Sequence, residues 1–417
     1  MVQRKPEPDV TIIAMIEEVQ EIEKVVHARP ALAESRSGKA TEDFTVSLCN
    51  TAEEFRDLQN EWNHLLDNAC RKSAFLRHEF MYAWWEVYGR WQHGATPFIV
   101  LARDRERRLV GVLPFYCEKL PWPFIGVRAL RFLGSLHEAP EYLDVIVADN
   151  TLTHKIVKAM LAGLTKVRAK YDWLRLIDMA DDALLLSFLP EWAEECGGRL
   201  QQWPWMLCPY LKISGDFETY LQALSSKHSA NFRRQLRKLK ERHAVTMDVA
   251  IAPAQVERDF AVLCELHHRR WAERHETSAF DNEMSRRFHR RLVTAMAPGG
   301  AVRIFLLKCD GKIVAAFYCL LDDNCLMYYQ AGFDPEYESQ SVGLILLGMV
   351  LQYCHEQGYD EFDFLRGEEE YKFRWTKTAR ATVICEIALT GRAKIYLNGL
   401  RTLRLLKKPV RGLLNKK

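Results

Sequence analysis

Ile304-Phe-Leu-Leu-Lys-Cys-Asp-Gly311, followed by Lys312-Ile-Val-Ala-Ala-Phe-Tyr-Cys319, decides the fold. Two apolar runs meet at Asp310-Gly311, a dipeptide suited to the positive φ of a tight hairpin. An earlier stretch has the same form: Phe98-Ile-Val-Leu-Ala-Arg-Asp104, then Leu109-Val-Gly-Val-Leu-Pro-Phe-Tyr-Cys117. A second correspondence lies further along. Tyr171-Asp172 opens Trp-Leu-Arg-Leu-Ile-Asp178-Met179, and Tyr359-Asp360 opens Glu-Phe-Asp-Phe-Leu-Arg366-Gly367. A helix is predicted before each Tyr-Asp, over His154–Ala169 and Val342–Gln357. The pattern is two copies of one α/β (α+β) unit, each a mixed, largely antiparallel sheet flanked by helices.

Working outward, residues 1–43 read as a flexible N-terminal extension. The first copy spans 44–200 and the second 201–391, with 392–417 a basic amphipathic tail. Thr51 is placed to cap a helix through Leu66, with Glu54 completing a capping box. Pro190–Pro209, with Gly197-Gly198, reads as a crossover between the copies.

At 417 residues, 48% hydrophobic, 27% charged and a formal net charge of +3, the chain is an ordinary globular protein. It is no polycation, so its positive charge matters where it clusters. Ser225–His243 holds seven Lys/Arg against one Glu, and the tail nine Lys/Arg and no acid. The 11 cysteines form no C-x-x-C pair, which argues against a zinc site or a disulfide framework. No uncharged apolar run reaches the ~18 residues of a membrane span. A cytoplasmic protein is expected, with peripheral contact at the inner membrane through the tail, and no metal.

Chemistry concentrates at Asp363-Phe-Leu-Arg366-Gly-Glu-Glu369-Glu-Tyr371-Lys372. Ligands of open α/β sheets bind at the carboxyl ends of strands. Strand alternation sets Phe362 and Phe364 toward the core and leaves Glu361 and Asp363 toward a cleft or solvent. A carboxylate there can accept a proton, Tyr371 can donate one, and Lys372 and Arg374 can hold an anion. Gln340-Ser341-Val342-Gly343 opens the second long helix, where free N–H groups and small residues suit a phosphate. Lys227, Arg233 and Arg234 belong to a basic helix whose apolar stripe is Phe232, Leu236 and Leu239, a surface for an anionic donor or RNA. His267-His268 lack a partner at metal-ligand spacing and read as structural.

Ser226-Lys227-His228-Ser229-Ala230-Asn231-Phe232-Arg233-Arg234 and Phe364-Leu-Arg-Gly-Glu-Glu-Glu-Tyr-Lys-Phe-Arg-Trp375 together resemble the CelD-like acetyltransferases of cellulose biosynthesis. That family sits in the GNAT superfamily and is related to FemAB-type aminoacyltransferases. The resemblance covers roughly residues 44–400 and implies tandem GNAT-like domains, the first non-catalytic. It implies acetyl-CoA or another acyl-CoA as co-substrate, held at Gln340, Ser341, Val342 and Gly343. The superfamily's pyrophosphate loop ends in Gly or Ala, and Ile345 stands there instead. Asp363 is then expected as base or base-orienter, Tyr371 as acid, with Lys372 beside them. Lys227, Asn231, Arg233, Arg234, Arg366 and Glu369 are expected on substrate. The acceptor implied is a sugar, nucleotide-sugar or related metabolite, in exopolysaccharide or envelope synthesis. Two alternatives stand: an aminoacyl-tRNA-dependent transferase, the one case in which nucleic acid is expected, and a non-catalytic scaffold for polysaccharide synthesis.

Overall fold

The computed structural model describes residues 43–92, 94–120, 126–273 and 278–400. The expected extension, apart from Asp43, and the tail beyond residue 400 lie outside them. The first copy runs β1 (Thr45–Cys49), α1 (Ala52–Asp57), α2 (Gln59–Asp67), α3 (His78–Val87), β2 (Thr96–Arg103), β3 (Leu109–Leu120), β4 (Val127–Phe132) and β5 (Ile146–Val147). It continues with α4 (Thr153–Lys166), β6 (Trp173–Ala180), α5 (Leu189–Glu195) and β7 (Leu200–Lys212). The second copy has α6 (Phe217–Ala223), α7 (Ser226–Arg242), β8 (Val245–Ala250), α8 (Pro253–Glu273), α9 (Glu283–Met296), β9 (Val302–Cys309) and β10 (Lys312–Asp322). Then come β11 (Cys325–Phe333), α10 (Val342–Gln357), β12 (Glu361–Asp363), α11 (Glu370–Phe373) and β13 (Ala379–Ala388).

The hairpin signals hold. β2 pairs antiparallel with β3, and β9 with β10, across Asp310 and Gly311 at φ 51° and 81°. Each copy then contains one parallel pair, β4 with β6 and β11 with β12. With β7 taken as the last strand of the first copy, which moves the expected boundary from 200/201 to the end of β7, the copies exchange their last strands. β7 pairs with β12 of the second copy, β13 pairs with β6 of the first, and β7 and β13 pair with each other. One hydrogen-bonded path therefore runs β1-β2-β3-β4-β6-β13-β7-β12-β11-β10-β9-β8.

Two local readings are corrected. The helix after Thr51 is two helices that meet at Leu58. Thr51 caps the first, Glu54 N donating to Thr51 Oγ1 at 3.2 Å, but the expected capping box is not formed, because Glu54 Oε2 accepts from Asn50 N at 3.3 Å and not from Thr51 N. The crossover over 190–209 is a short helix followed by the start of a 13-residue strand, despite Pro204 and Pro209. A break in register between Ala381 and Val383 adjoins Pro204, as bulges do beside strand prolines, while Pro209 pairs with Ala379.

Packing fixes the second sheet from both sides. On one face α7 and α10 bury Phe232, Leu346, Val350 and Trp375 with Phe362 and Phe364 of the strand end. Gly348 is required there, because a Cβ would meet the Phe232 ring at 2.1 Å. The other face carries α8 and α9, whose Phe288 meets Phe80 of α3 edge-on at 5.3 Å. The two copies thus share one apolar core. Residues 391–400 are helical and set Ala393 and Tyr396 against Trp173 of β6.

Candidate functional site

The parallel pair of the second copy is short. Cys325, Leu326 and Met327 pair with Glu361, Phe362 and Asp363, and then the strands part. β11 continues to Phe333, while the chain after Asp363 turns onto β7: Phe364 N donates to Pro209 O at 2.9 Å and Gly367 N to Leu207 O at 3.0 Å. Leu365 makes that turn at φ 54°, steadied by its N–H donating to Asp363 Oδ1 at 2.7 Å. A wedge-shaped gap opens at the carboxyl ends of a parallel pair, the place where α/β sheets bind ligands.

Beyond the gap lies the start of α10. A short 3-10 turn, Pro335–Gln340, leads into Ser341 at φ 57°, which makes no side-chain cap. The first N–H groups of this 16-residue helix therefore lack the side-chain acceptor such positions commonly have. They border a cavity of about 320 Å³. Ser341, Val342, Gly343 and Leu344 form one wall, His228 and Asn231 of α7 another, and Phe333, Tyr371 and Arg374 the rest, with Glu338. A Cβ on Gly343 would touch only Phe333 Cδ1, at 3.9 Å, so packing does not demand the glycine. His228 Nε2 is buried with no hydrogen-bond partner. Burial, and then Arg374, hold the His228 pKa down, so the ring is neutral at pH 7. An uncapped helix start, an open glycine and an orphaned ring nitrogen on one cavity fit the phosphates and amide groups of a nucleotide thioester. Ile345, which departs from the expected loop pattern, is fully buried in the core and does not reach the cavity.

Of the residues expected at the site, Ser341, Val342, Gly343, Asn231 and Tyr371 come together around this cavity. Tyr371 is 39% exposed, and burial raises its hydroxyl to about 12, so it carries its proton at neutral pH. Gln340 lies one residue before the wall, its side-chain oxygen buried and unpartnered. Lys227, Arg233 and Arg234 stand on the exposed side of α7, Arg233 paired with Glu218 and Arg234 donating to Asn231 Oδ1 at 2.8 Å. The others build the turn after the strand. Lys372, 4% exposed, donates to Leu365 O and Arg366 O and pairs with Glu369 at 3.0 Å.

Asp363 and Arg366 face the first copy. The alternation was read correctly, since Phe362 and Phe364 enter the core, yet Glu361 and Asp363 meet neither cleft nor solvent. The strand exchange covers them. Arg380 of β13 pairs with Glu361 and lies 5.2 Å from the Tyr142 ring, and Tyr142 O–H donates to Asp363 Oδ2 at 2.7 Å. Arg366 donates to Glu141 Oε1, to Pro140 O at 2.6 Å and to Asp178 Oδ1 at 2.7 Å. Asp178 and Arg366 occupy matching places in the two copies. Burial pushes Glu141 up, against the pull of Arg366. The loop that supplies Glu141 and Tyr142 was missed in the sequence. Its signal was there: Ser135-Leu-His-Glu-Ala-Pro-Glu-Tyr142 is a dense polar run directly after an apolar strand, as at 363–372.

Burial raises the Asp363 carboxyl to about 6, against the pull of Arg380 and the Tyr142 hydrogen bond. The folded chain thus holds this proton more tightly than the unfolded chain, where Asp titrates near 3.9. The stabilisation from protonation is fully present below about pH 4 and is lost as pH rises to about 6. Asp363→Asn escapes that loss. Its stability relative to wild type is expected to rise by at most about 3 kcal/mol between pH 4 and 7. Urea unfolding across that range checks this, and a constant difference would refute the raised pKa.

Residues 226–373 match the model of the acetyltransferase (GNAT) domain. No curated protein matches the chain. Among solved structures, FemX is 10% identical, with 78% of this chain and 95% of that chain covered, at a TM-score of 0.57. The C-terminal domain of a putative lysylphosphatidylglycerol synthetase from Agrobacterium fabrum is 11% identical over 84% and 96%, at 0.48. A tandem GNAT protein from the clavulanic acid biosynthesis pathway is 12% identical over 83% and 99%, at 0.42. At such identities the FemX likeness speaks for the fold alone. The matched residues take in all of the cavity's lining except Arg374, so the stretch that builds the cavity is similar to a GNAT acetyltransferase domain, which supports an acyltransferase.

Proposed function

We propose that the protein is a CelD-like N- or O-acyltransferase that takes acetyl-CoA or another acyl-CoA as donor and needs no metal. A sugar, nucleotide-sugar or related metabolite of exopolysaccharide or envelope synthesis is the proposed acceptor. One observation carries the donor assignment: the parting of β11 and β12 leads to an uncapped helix start that walls a cavity. The N–H groups of Val342, Gly343 and Leu344 receive the pyrophosphate, with Asn231 and Arg374 beside it. The thioester lies along the gap. The acceptor nitrogen or oxygen attacks its carbonyl carbon and the C–S bond breaks; the protonated Tyr371 hydroxyl gives its proton to the departing thiolate, the proton the acceptor loses passes to water, and water returns one to Tyr371. Asp363 and Lys372 hold the turn that keeps the gap open. The first copy is the non-catalytic partner that closes the cleft.

A second reading, transfer from aminoacyl-tRNA, draws on the exposed face of α7. Lys227, Arg234, Lys238, Lys240 and Arg242 have no carboxylate partner there among the described residues. Thermal melting separates the two. Stabilisation by acetyl-CoA but not by tRNA is expected, and the reverse would establish the second reading.

A further inference from the structure

The two ends of the hydrogen-bonded path are built alike and covered differently. β8 pairs antiparallel with β9 as β1 pairs antiparallel with β2, and each is the last strand at its end of the path. α10 packs on β9 and β10 as α4 packs on β2 and β3. In the second copy the chain just before β8 fills the angle between the edge strand and the helix. That chain is α7, which ends at Arg242, while β8 begins at Val245. Its Phe232 and Leu239 are buried with Leu346 and Val350 of α10, and half-buried Val245 and Met247 of β8 pack on the same cluster. In the matching place of the first copy the described residues leave a cavity of about 240 Å³ between β1 and α4. Phe44, Val46 and Leu48, all half-buried, form one wall, and Ala162, Lys166 and Val167 the other.

The sequence ahead of β1 supplies an occupant. Ile12, Ile16, Val19, Ile22 and Val26 recur every three or four residues, the pattern of an amphipathic helix, as Phe232, Leu236 and Leu239 recur in α7. Residues 11–26 hold four Glu against one Lys. The 17 residues 27–43 join this pattern to Phe44, which itself lines the cavity. Fully extended they span up to about 55 Å, and α4, at 14 residues, is about 21 Å long, so the tether reaches all of it. The charges also match. Lys155, Ala159, Ala162 and Lys166 follow at steps of four, three and four, so they share the face of α4 that borders the cavity. A lysine therefore stands at each end of that face. Both lysines are exposed, and neither has a carboxylate partner among the described residues, whereas Lys158, off that face, pairs with Glu191.

We infer that residues 11–26 form a helix that seats in this cavity along α4 and β1, as the first copy's counterpart of α7. Its apolar stripe covers Val46, Leu48 and Val167, and its glutamates face Lys155 and Lys166. Because the occupant belongs to the same chain, its local concentration is on the order of millimolar, and the contact needs little affinity of its own. The two counterparts differ in sign. α7 is basic and borders the donor cavity, whereas the acidic segment repels a phosphate from the helix it covers. The seat thus completes the first copy and leaves anion binding to the second.

Amide hydrogen exchange of the full chain, with no ligand added, tests the seat. The amides of residues 12–26 are expected to exchange at least about 100-fold more slowly than in an unstructured peptide. Ala162→Glu places bulk and a negative charge on an exposed position of α4, where glutamate is a good helix former, so the fold is kept. It is expected to return those amides to within about threefold of the unstructured rate, with β2 and β3 still protected. Val19→Asp should do the same from the segment's side, and Lys166→Glu should remove part of the protection. Roughly a hundredfold dilution should change nothing, since a tethered contact does not depend on protein concentration. Unprotected amides over 12–26, or protection that survives both Ala162→Glu and Val19→Asp, would overturn the inference. Protection that fades on dilution would give the cavity to a second copy of the chain and overturn it equally.

Discussion

Arg366→Ala is expected to destabilise the protein by about 3–5 kcal/mol. The side chain donates to Glu141, Pro140 and Asp178, all from the first copy. Glu141 and Asp178 are 0% and 2% exposed at their side chains, so removing the guanidinium leaves two carboxylates buried beside each other. A buried charge without its partner costs several kcal/mol, whatever the intact pair contributes. Arg366→Lys should recover less than half, because an ammonium cannot reproduce the planar fork that reaches both carboxylates and a carbonyl. Urea unfolding of the three proteins measures this. Had Arg366 served an anionic substrate, as its sequence context suggested, its loss would raise KM and leave the unfolding midpoint in place. A stability change under about 1 kcal/mol would therefore return the residue to the substrate.

Gly343→Glu is expected to weaken acetyl-CoA binding at least 100-fold, or about 2.7 kcal/mol or more. The new carboxylate stands in the cavity and occupies the helix start that the pyrophosphate would use. The fold should not suffer. A Cβ meets only Phe333 Cδ1 at 3.9 Å, glutamate is a better helix former than glycine, and a negative charge suits the first turn. The melting temperature is expected to hold or rise while calorimetry shows the affinity lost. Opposite signs for stability and binding distinguish a blocked site from a damaged one. Binding within about threefold of wild type would move the donor elsewhere.

The two-copy architecture was legible because hairpins and amphipathic helices are written in local periodicity. Val342–Gln357 was bounded from sequence as it stands in the structure, since its apolar run is long and Gly358 ends it at φ 69°. The exchange of β7 and β13 was not legible. Pairing between strands distant in the chain leaves no mark in either strand, and Pro204 and Pro209 argued against β7. That exchange also changed the meaning of the charges at 361–366. Read alone, Glu361, Asp363 and Arg366 suggested a reactive strand end. In the fold, Arg380, Tyr142, Glu141 and Asp178 meet them and make them a joint between copies. Ser341, Val342, Gly343 and Asn231 stood out because a helix start and a basic helix are local signals, and Tyr371 because it closes a dense polar run; the fold brings them around one cavity. Glu138 was passed over because the residues that hold it, His289 and Tyr329, are far off in sequence.

We place the donor where β11 and β12 part, at the start of α10. Amide hydrogen exchange of the full chain, with and without acetyl-CoA, tests it most directly. Protection is expected in Ser341–Leu344 and along Tyr328–Phe333, with no change in α4, the corresponding helix of the first copy. Unchanged exchange at Ser341–Leu344 under saturating acetyl-CoA, or protection centred on α4, would contradict it.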